Sequence, residues 1–256
     1  MTGTVACVIG MSVVCAVATA DTQYGHERTL LDVDGHAAFI IQPTEPAEGA
    51  PWAWYAPTFI GAIPNAANGW IFGQLLDAGW AICGVEVGES FGSPAGRAVY
   101  TAFYERVTAE YGLSPKACLV PQSRGGLMLY NWAAENAEKV QCIAGIYTVC
   151  DLRSYPGIAA AAPAYAMTEK ELTDSLAEHN PIDRLAPLAK AGVPIFHIHG
   201  DSDTVVPIEE NSQVVHARYT ALGGEMELVI VPGKGHAEIP EFFQNDAMLK
   251  FLLGQE

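Results

Sequence analysis

Basic residues are scarce in this chain of 256 residues: Lys and Arg number 13 against 29 Asp and Glu, for a formal net charge of −16. Such a balance offers no basic stripe to a phosphate backbone or an anionic lipid surface, which argues against nucleic acid and membranes as partners. Cysteine is sparse as well, six in all, with no Cys-x-x-Cys or Cys/His ligand spacing to hold a structural zinc. Cys83, Cys118 and Cys142 lie in apolar, strand-like runs and Cys150 just past one. They are expected as buried thiols, with a disulfide left open if the protein is exported. The most apolar stretch, Val5 to Val17, is shorter than the roughly 20 residues a membrane span needs. Repeats and low-complexity tracts are missing. Charged residues make up 16% and hydrophobic ones 50%, a composition that buries a core; at this length one large domain is expected.

The apolar N-terminal stretch ends in Ala18-Thr19-Ala20 before Asp21, the small-x-small ending of a cleaved secretory signal. No Lys or Arg precedes it, so the positive n-region is missing; the other reading is an extra strand or helix packed on the sheet. The expectation is a signal at 1–20, a domain at 21–256 and a secreted or periplasmic protein, otherwise a cytoplasmic one.

Two strand-like runs, Thr29 to Gly35 and Ala37 to Ile41, meet at Asp34-Gly35, a hairpin signal. From Trp52 onward apolar strands alternate with helical patterns, such as Val99, Phe103, Val107 and Tyr111 at steps of four. Such alternation builds a parallel sheet with crossover helices. One region breaks it: residues 151–190 carry Pro156, a run of alanines, Pro163 and a capping box at Thr168 and Glu171.

The organising stretch is Pro121-Gln122-Ser123-Arg124-Gly125-Gly126, after the strand Ala117 to Val120 and before a helix with Leu127, Tyr130, Asn131 and Ala134 on one side. A serine on such a strand-to-helix turn needs small neighbours, because strand and helix approach closely there. Gly125 and Gly126 supply them, whereas Pro121 stands where a first glycine is usual. Downstream, His199-Gly200-Asp201-Ser202-Asp203 follows one strand and Gly233-Lys234-Gly235-His236 another. Both loops belong at the carboxyl ends of strands, where open α/β sheets gather their functional groups.

The order Ser, Asp, His on this strand and helix pattern resembles the α/β-hydrolases, nearest the branch of dienelactone hydrolases and prolyl-oligopeptidase-like esterases, from about Leu30 to the end. The resemblance implies a mostly parallel central sheet with helices on both faces and a small cap insertion at about 151–190. It also implies a serine hydrolase in which Ser123 attacks, His236 takes its proton and Asp203, four residues before Pro207 in an Asp-x-Val-x-Pro-like run, orients the imidazole. Asp201 and Asp151 are the competing acids. His197 and His199 read as core or loop residues, and His26, His36, His179 and His216 lack a motif.

The Arg124 N–H, next after the nucleophile, is the expected oxyanion donor. Thr58 N–H is the second by position alone, since Pro57-Thr58-Phe59-Ile60-Gly61 departs from the His-Gly-Gly wording of relatives. Tyr55, Phe59 and Tyr155 are the expected substrate contacts among the aromatics, although large aromatics near strands also serve as core. Glu86 and Glu89 lack a histidine at ligand spacing, so neither a metal nor another cofactor is expected. The reading is an esterase forming an acyl-enzyme on a small-molecule or carbohydrate ester. The alternatives are a prolyl-oligopeptidase-like peptidase and a non-catalytic binding protein of the same fold.

Overall fold

A computed structural model describes residues 20–255. The candidate signal lies outside the described residues except for Ala20, which opens β1 (Ala20–Gln23). β1, β2 (His26–Val33) and β3 (His36–Ile41) form an antiparallel meander, with Asp34 and Gly35 at positive φ in its second turn. β3 pairs antiparallel with β5 (Ala81–Val85). From there β4 (Trp52–Ala56), β6 (Ala117–Pro121), β7 (Val140–Ile146), β8 (Ile195–Gly200) and β9 (Met226–Val231) continue parallel. The full order is β1-β2-β3-β5-β4-β6-β7-β8-β9, an open sheet of the α/β-hydrolase fold.

The central strands are buried on both faces, so they read as unbroken apolar runs whose alternate residues feed two cores. Trp52, Trp54, Leu119 and Ile143 point to one face, where α2 (Pro94–Glu110) and α3 (Gly125–Glu135) pack. There Trp54 meets Trp132 at 4.7 Å and Tyr100 and Phe103 at 5.2 Å between ring centroids. Ala53, Tyr55, Val120 and Ala144 point to the other face, under α1 (Gly69–Asp77) and the helix Asp246–Leu253. Ser93 starts α2 by accepting from the Gly96 N–H, with Pro94 at the first helical position. The C-terminal helical stretch comes in two segments, Pro240–Phe243 and Asp246–Leu253: Gln244 breaks it and Asn245 caps the second.

Cys118 and Cys142, expected as thiols, are joined as a disulfide. They face each other in register on neighbouring strands, with Cα atoms 4.7 Å apart. Cys83 and Cys150 stay free and buried.

Residues 151–190 form short helical segments over a third apolar cluster, in which Leu152, Ala161, Tyr165 and Leu172 pack on Leu127 and Val206. The capping box forms: Thr168 accepts from the Glu171 N–H, and the Glu171 carboxylate accepts from the Thr168 N–H at 2.7 Å.

Candidate active site

β6 delivers Ser123 at φ +50°, a left-handed conformation that a serine adopts only when its surroundings impose it. The Ser123 N–H donates to Ile146 O at 3.0 Å, and its carbonyl accepts from the Val149 N–H at 2.9 Å. The two glycines that follow are dictated by backbone: a Cβ on Gly125 would lie 2.0 Å from Ala56 O, and one on Gly126 2.2 Å from Val149 O. Pro121 ends β6 opposite Ala56, where a missing N–H is tolerated.

Loops after β8 and β9 bring the other two groups. Ser123 Oγ lies 3.0 Å from His236 Nε2, and His236 Nδ1 lies 2.8 Å from Asp203 Oδ2. Asp203 is closed off from solvent while His236 keeps a side-chain exposure of 19%. Asp203 Oδ1 accepts from the Val205 and Val206 N–H groups at 2.9 and 2.8 Å. Burial pushes the Asp203 carboxyl upward, but hydrogen bonds from His199, His236 and the Val206 N–H outweigh it and hold the group well below the usual carboxylate range. The carboxylate is therefore ionised behind the imidazole.

The competing acids are engaged elsewhere. Asp151 pairs with Arg153 at 2.8 Å and accepts from Asn180, and Asp201 accepts from the Gly233 N–H at 2.6 Å.

A second histidine, His199, reaches Asp203 Oδ2 at 3.3 Å and Val206 O at 2.9 Å through Nε2. A carbonyl only accepts, which puts a proton on Nε2; in the tautomer that carries it there alone, Nδ1 accepts from Ser212 Oγ at 2.8 Å. Ser212 Oγ then accepts from His197 Nδ1 at 2.9 Å, and His197 Nε2 accepts from Tyr130 OH at 2.7 Å. Every donor in this chain points toward Asp203, and each member from Tyr130 to His199 is essentially buried. Burial, with His199 and His216 nearby, lowers the pKa of His197 to about 3, so its ring is neutral.

Beside Ser123 opens a cavity of about 270 Å³ lined by Pro57, Ile63, Gln122, Arg124, Tyr147, His236 and Glu238. Gln122 is tied on both amide atoms, its oxygen accepting from Tyr55 OH at 2.7 Å and its nitrogen donating to Tyr147 OH at 3.0 Å. Tyr147, at φ +35°, packs tilted against His236 with ring centroids 4.3 Å apart. Burial first, then the Glu238 carboxylate, raises its phenol well above the ordinary value and keeps it protonated.

The Arg124 N–H has no acceptor among the described residues, as an oxyanion donor requires. Its guanidinium pairs with Glu89 at 2.8 Å and lies 5.2 Å over the Phe59 ring. Thr58 is buried with its hydroxyl on Tyr55 O, and the cavity meets that loop at Pro57, which has no N–H. The Thr58 N–H, like that of Arg124, has no acceptor among the described residues.

The aromatic contacts need correction. Tyr55 is fully buried under α1 because strand alternation turns it into the core. Phe59 stands behind the Arg124 guanidinium, and Tyr155 packs in the cluster of residues 151–190. None of the three lines the cavity, and neither does any residue of that insertion. Gln122, Tyr147 and Glu238 line it instead, and their neighbours on the chain, Ser123 and His236, were the one signal available for two of them. Among the described residues no cluster of His, Cys, Asp or Glu could hold a metal ion.

The sequence pattern of the prolyl oligopeptidase family matches residues 102–252, more than half of the chain. The chain belongs to that family. The family is one of serine hydrolases, and the chain is of that superfamily. No curated protein matches it. In fold it is similar to dipeptidyl peptidase 4 of Porphyromonas gingivalis, at 14% identity and TM-score 0.70 over 91% of this chain and 36% of that one. It is similar also to an S-formylglutathione hydrolase from Agrobacterium tumefaciens, at 11% and 0.69 over 92% and 96%. A truncated carbohydrate esterase from gut microbiota gives 18% and 0.67 over 94% and 96%. The chain thus spans 36% of the dipeptidyl peptidase's length and nearly all of the two hydrolases'. At these identities the solved structures speak for fold, and the family rests on the sequence match. No described helix of this family member is long and apolar enough to cross a membrane.

Proposed function

We propose that the protein hydrolyses carboxylic esters through an acyl-enzyme, with Ser123 as nucleophile, His236 as base and then acid, and Asp203 as the group that orients and stabilises the imidazolium. The observation that carries this reading is the 3.0 Å approach of Ser123 Oγ to His236 Nε2 with the Asp203 carboxylate 2.8 Å behind the ring. A serine hydroxyl is a weak nucleophile at neutral pH, and a base within hydrogen-bond reach removes its proton as the carbonyl is attacked. The Arg124 N–H is the oxyanion donor in this reading, a contribution of about 10²–10³ in rate for one such group.

The expected substrate is a small-molecule or carbohydrate ester. The ester reading is supported by the likeness of the fold to an S-formylglutathione hydrolase and to a carbohydrate esterase. Amide cleavage of the prolyl-oligopeptidase kind is the second reading, supported by the family match and by the carboxylate of Glu238 in the cavity. We place the protein in an oxidising compartment, a reading the Cys118–Cys142 disulfide supports. The mature domain in this reading is 21–256, with 151–190 as its insertion.

Labelling with a fluorophosphonate probe tests the nucleophile. Wild type should react and Ser123→Ala should not; equal labelling of both removes the assignment. Matched aryl esters and anilides of the same acyl group then separate ester from amide cleavage, with the ester at least about a hundredfold ahead in kcat/KM if the first reading holds.

A further inference from the structure

The cavity beside Ser123 is unevenly charged. Arg124 faces it, but Glu89 neutralises that guanidinium at 2.8 Å. Lys234, on the same loop as His236, is engaged by Glu241 at 2.7 Å. Glu238 also faces the cavity, is exposed, and has no ion-pair partner among the described residues. Two amides hold it in place: Asn65 Nδ2 donates to its two oxygens at 3.3 and 3.2 Å, and Gln122 Nε2 donates to Oε1 at 3.4 Å. Amide donors fix a carboxylate's direction without cancelling its charge. What remains is an oriented, uncompensated anion two residues after His236, on a protein whose formal net charge of −16 already draws cations.

The geometry points to Glu238 as the group that selects substrates carrying a cationic nitrogen near the scissile carbonyl. This rests on the serine-hydrolase reading above and narrows it to a substrate class. A neutral carbohydrate ester would also find hydrogen-bond partners here, but it would leave the carboxylate uncompensated. A cationic amine supplies both the charge and the hydrogen bonds, the stronger kind of contact.

The experiment compares isosteric pairs that differ by one charge. On the acyl side these are the 4-nitrophenyl esters of β-alanine and of butyric acid. On the alcohol side they are 2-(dimethylammonio)ethyl butyrate and 3-methylbutyl butyrate. In at least one pair wild type should favour the cation by about tenfold in kcat/KM, or about 1.4 kcal/mol. Glu238→Gln should bring that ratio close to one, and Glu238→Lys should invert it. Salt supplies a readout that needs no variant, since the wild-type ratio should shrink as ionic strength rises.

The inference is overturned if neither pair shows a preference, if the preference survives Glu238→Gln or high salt, or if a sugar acetate outpaces both cationic esters. Those outcomes leave the hydrolase reading standing as long as Ser123 takes the fluorophosphonate and the neutral esters turn over. An enzyme that neither labels nor cleaves any of the four esters sinks both.

Discussion

Two histidines share one carboxylate oxygen, Asp203 Oδ2, and the difference between them lies in what their other ring nitrogen meets. His236 approaches it at 2.8 Å through Nδ1 and turns Nε2 to the Ser123 hydroxyl at a solvent-reached rim. His199 approaches it at 3.3 Å through Nε2 and turns Nδ1 to Ser212, inside a sealed chain that ends at Tyr130. In the proposed function the same pair of residue types makes a proton-transfer site in one direction and an anchor in the other. An imidazole becomes chemically useful only when its free nitrogen faces a group that can reach substrate.

The rim should be broken most severely. Ser123→Ala is expected to lower kcat by about 10⁵–10⁶ with thermal stability retained, as stopped-flow and melting curves would check. Asp203→Asn should cost about 10⁴ in kcat, because it disturbs the tautomer of His236, and should destabilise as well, because His199 loses an ionised acceptor. An Asp203→Asn enzyme with near-normal turnover would mean that the rim histidine needs no carboxylate.

The interior should show itself in acid. The unfolded chain binds a proton on His197 below about pH 6.5, whereas the folded chain does not until about pH 3, so stability is lost as pH falls through that window. The slope is about 1.4 kcal/mol per pH unit, on the order of 3–5 kcal/mol in all. The depressed Asp203 carboxyl works in the same direction, its contribution present above its unfolded value and lost as pH falls through the lower folded one. Urea melts between about pH 7 and pH 4 should flatten in His197→Phe; an unchanged slope would contradict the buried neutral ring.

Ser212→Ala strands one ring nitrogen of each interior histidine. It should cost about 2–3 kcal/mol in stability while kcat falls by less than tenfold. A loss of activity as large as that of Asp203→Asn would erase the distinction between the two histidines. The smallest effect is expected at Tyr155→Ala, which should change kcat/KM by less than about threefold because the residue lies in the insertion's own core.

Local chemistry was legible in the sequence, and long-range packing was not. The Asp34-Gly35 hairpin, the strand and helix alternation and the glycines after Ser123 each follow from a few neighbouring residues. Asp203 could be read from its spacing to Pro207, yet its second histidine could not, because His199 reaches it only after the loop folds back. Tyr55 looked available to substrate because a single sequence does not say which face of β4 meets α1. Cys118 and Cys142 required the register of β6 on β7, which no run of residues encodes. Glu238 carries no motif, and its place beside Ser123 depends on three separate loops closing together.

The insertion at 151–190 supplies no wall to the hollow beside Ser123. Among the described residues the walls of that hollow come from the loops after β4, β6, β7 and β9, so substitutions in those loops rather than in the insertion should change which acyl groups are accepted.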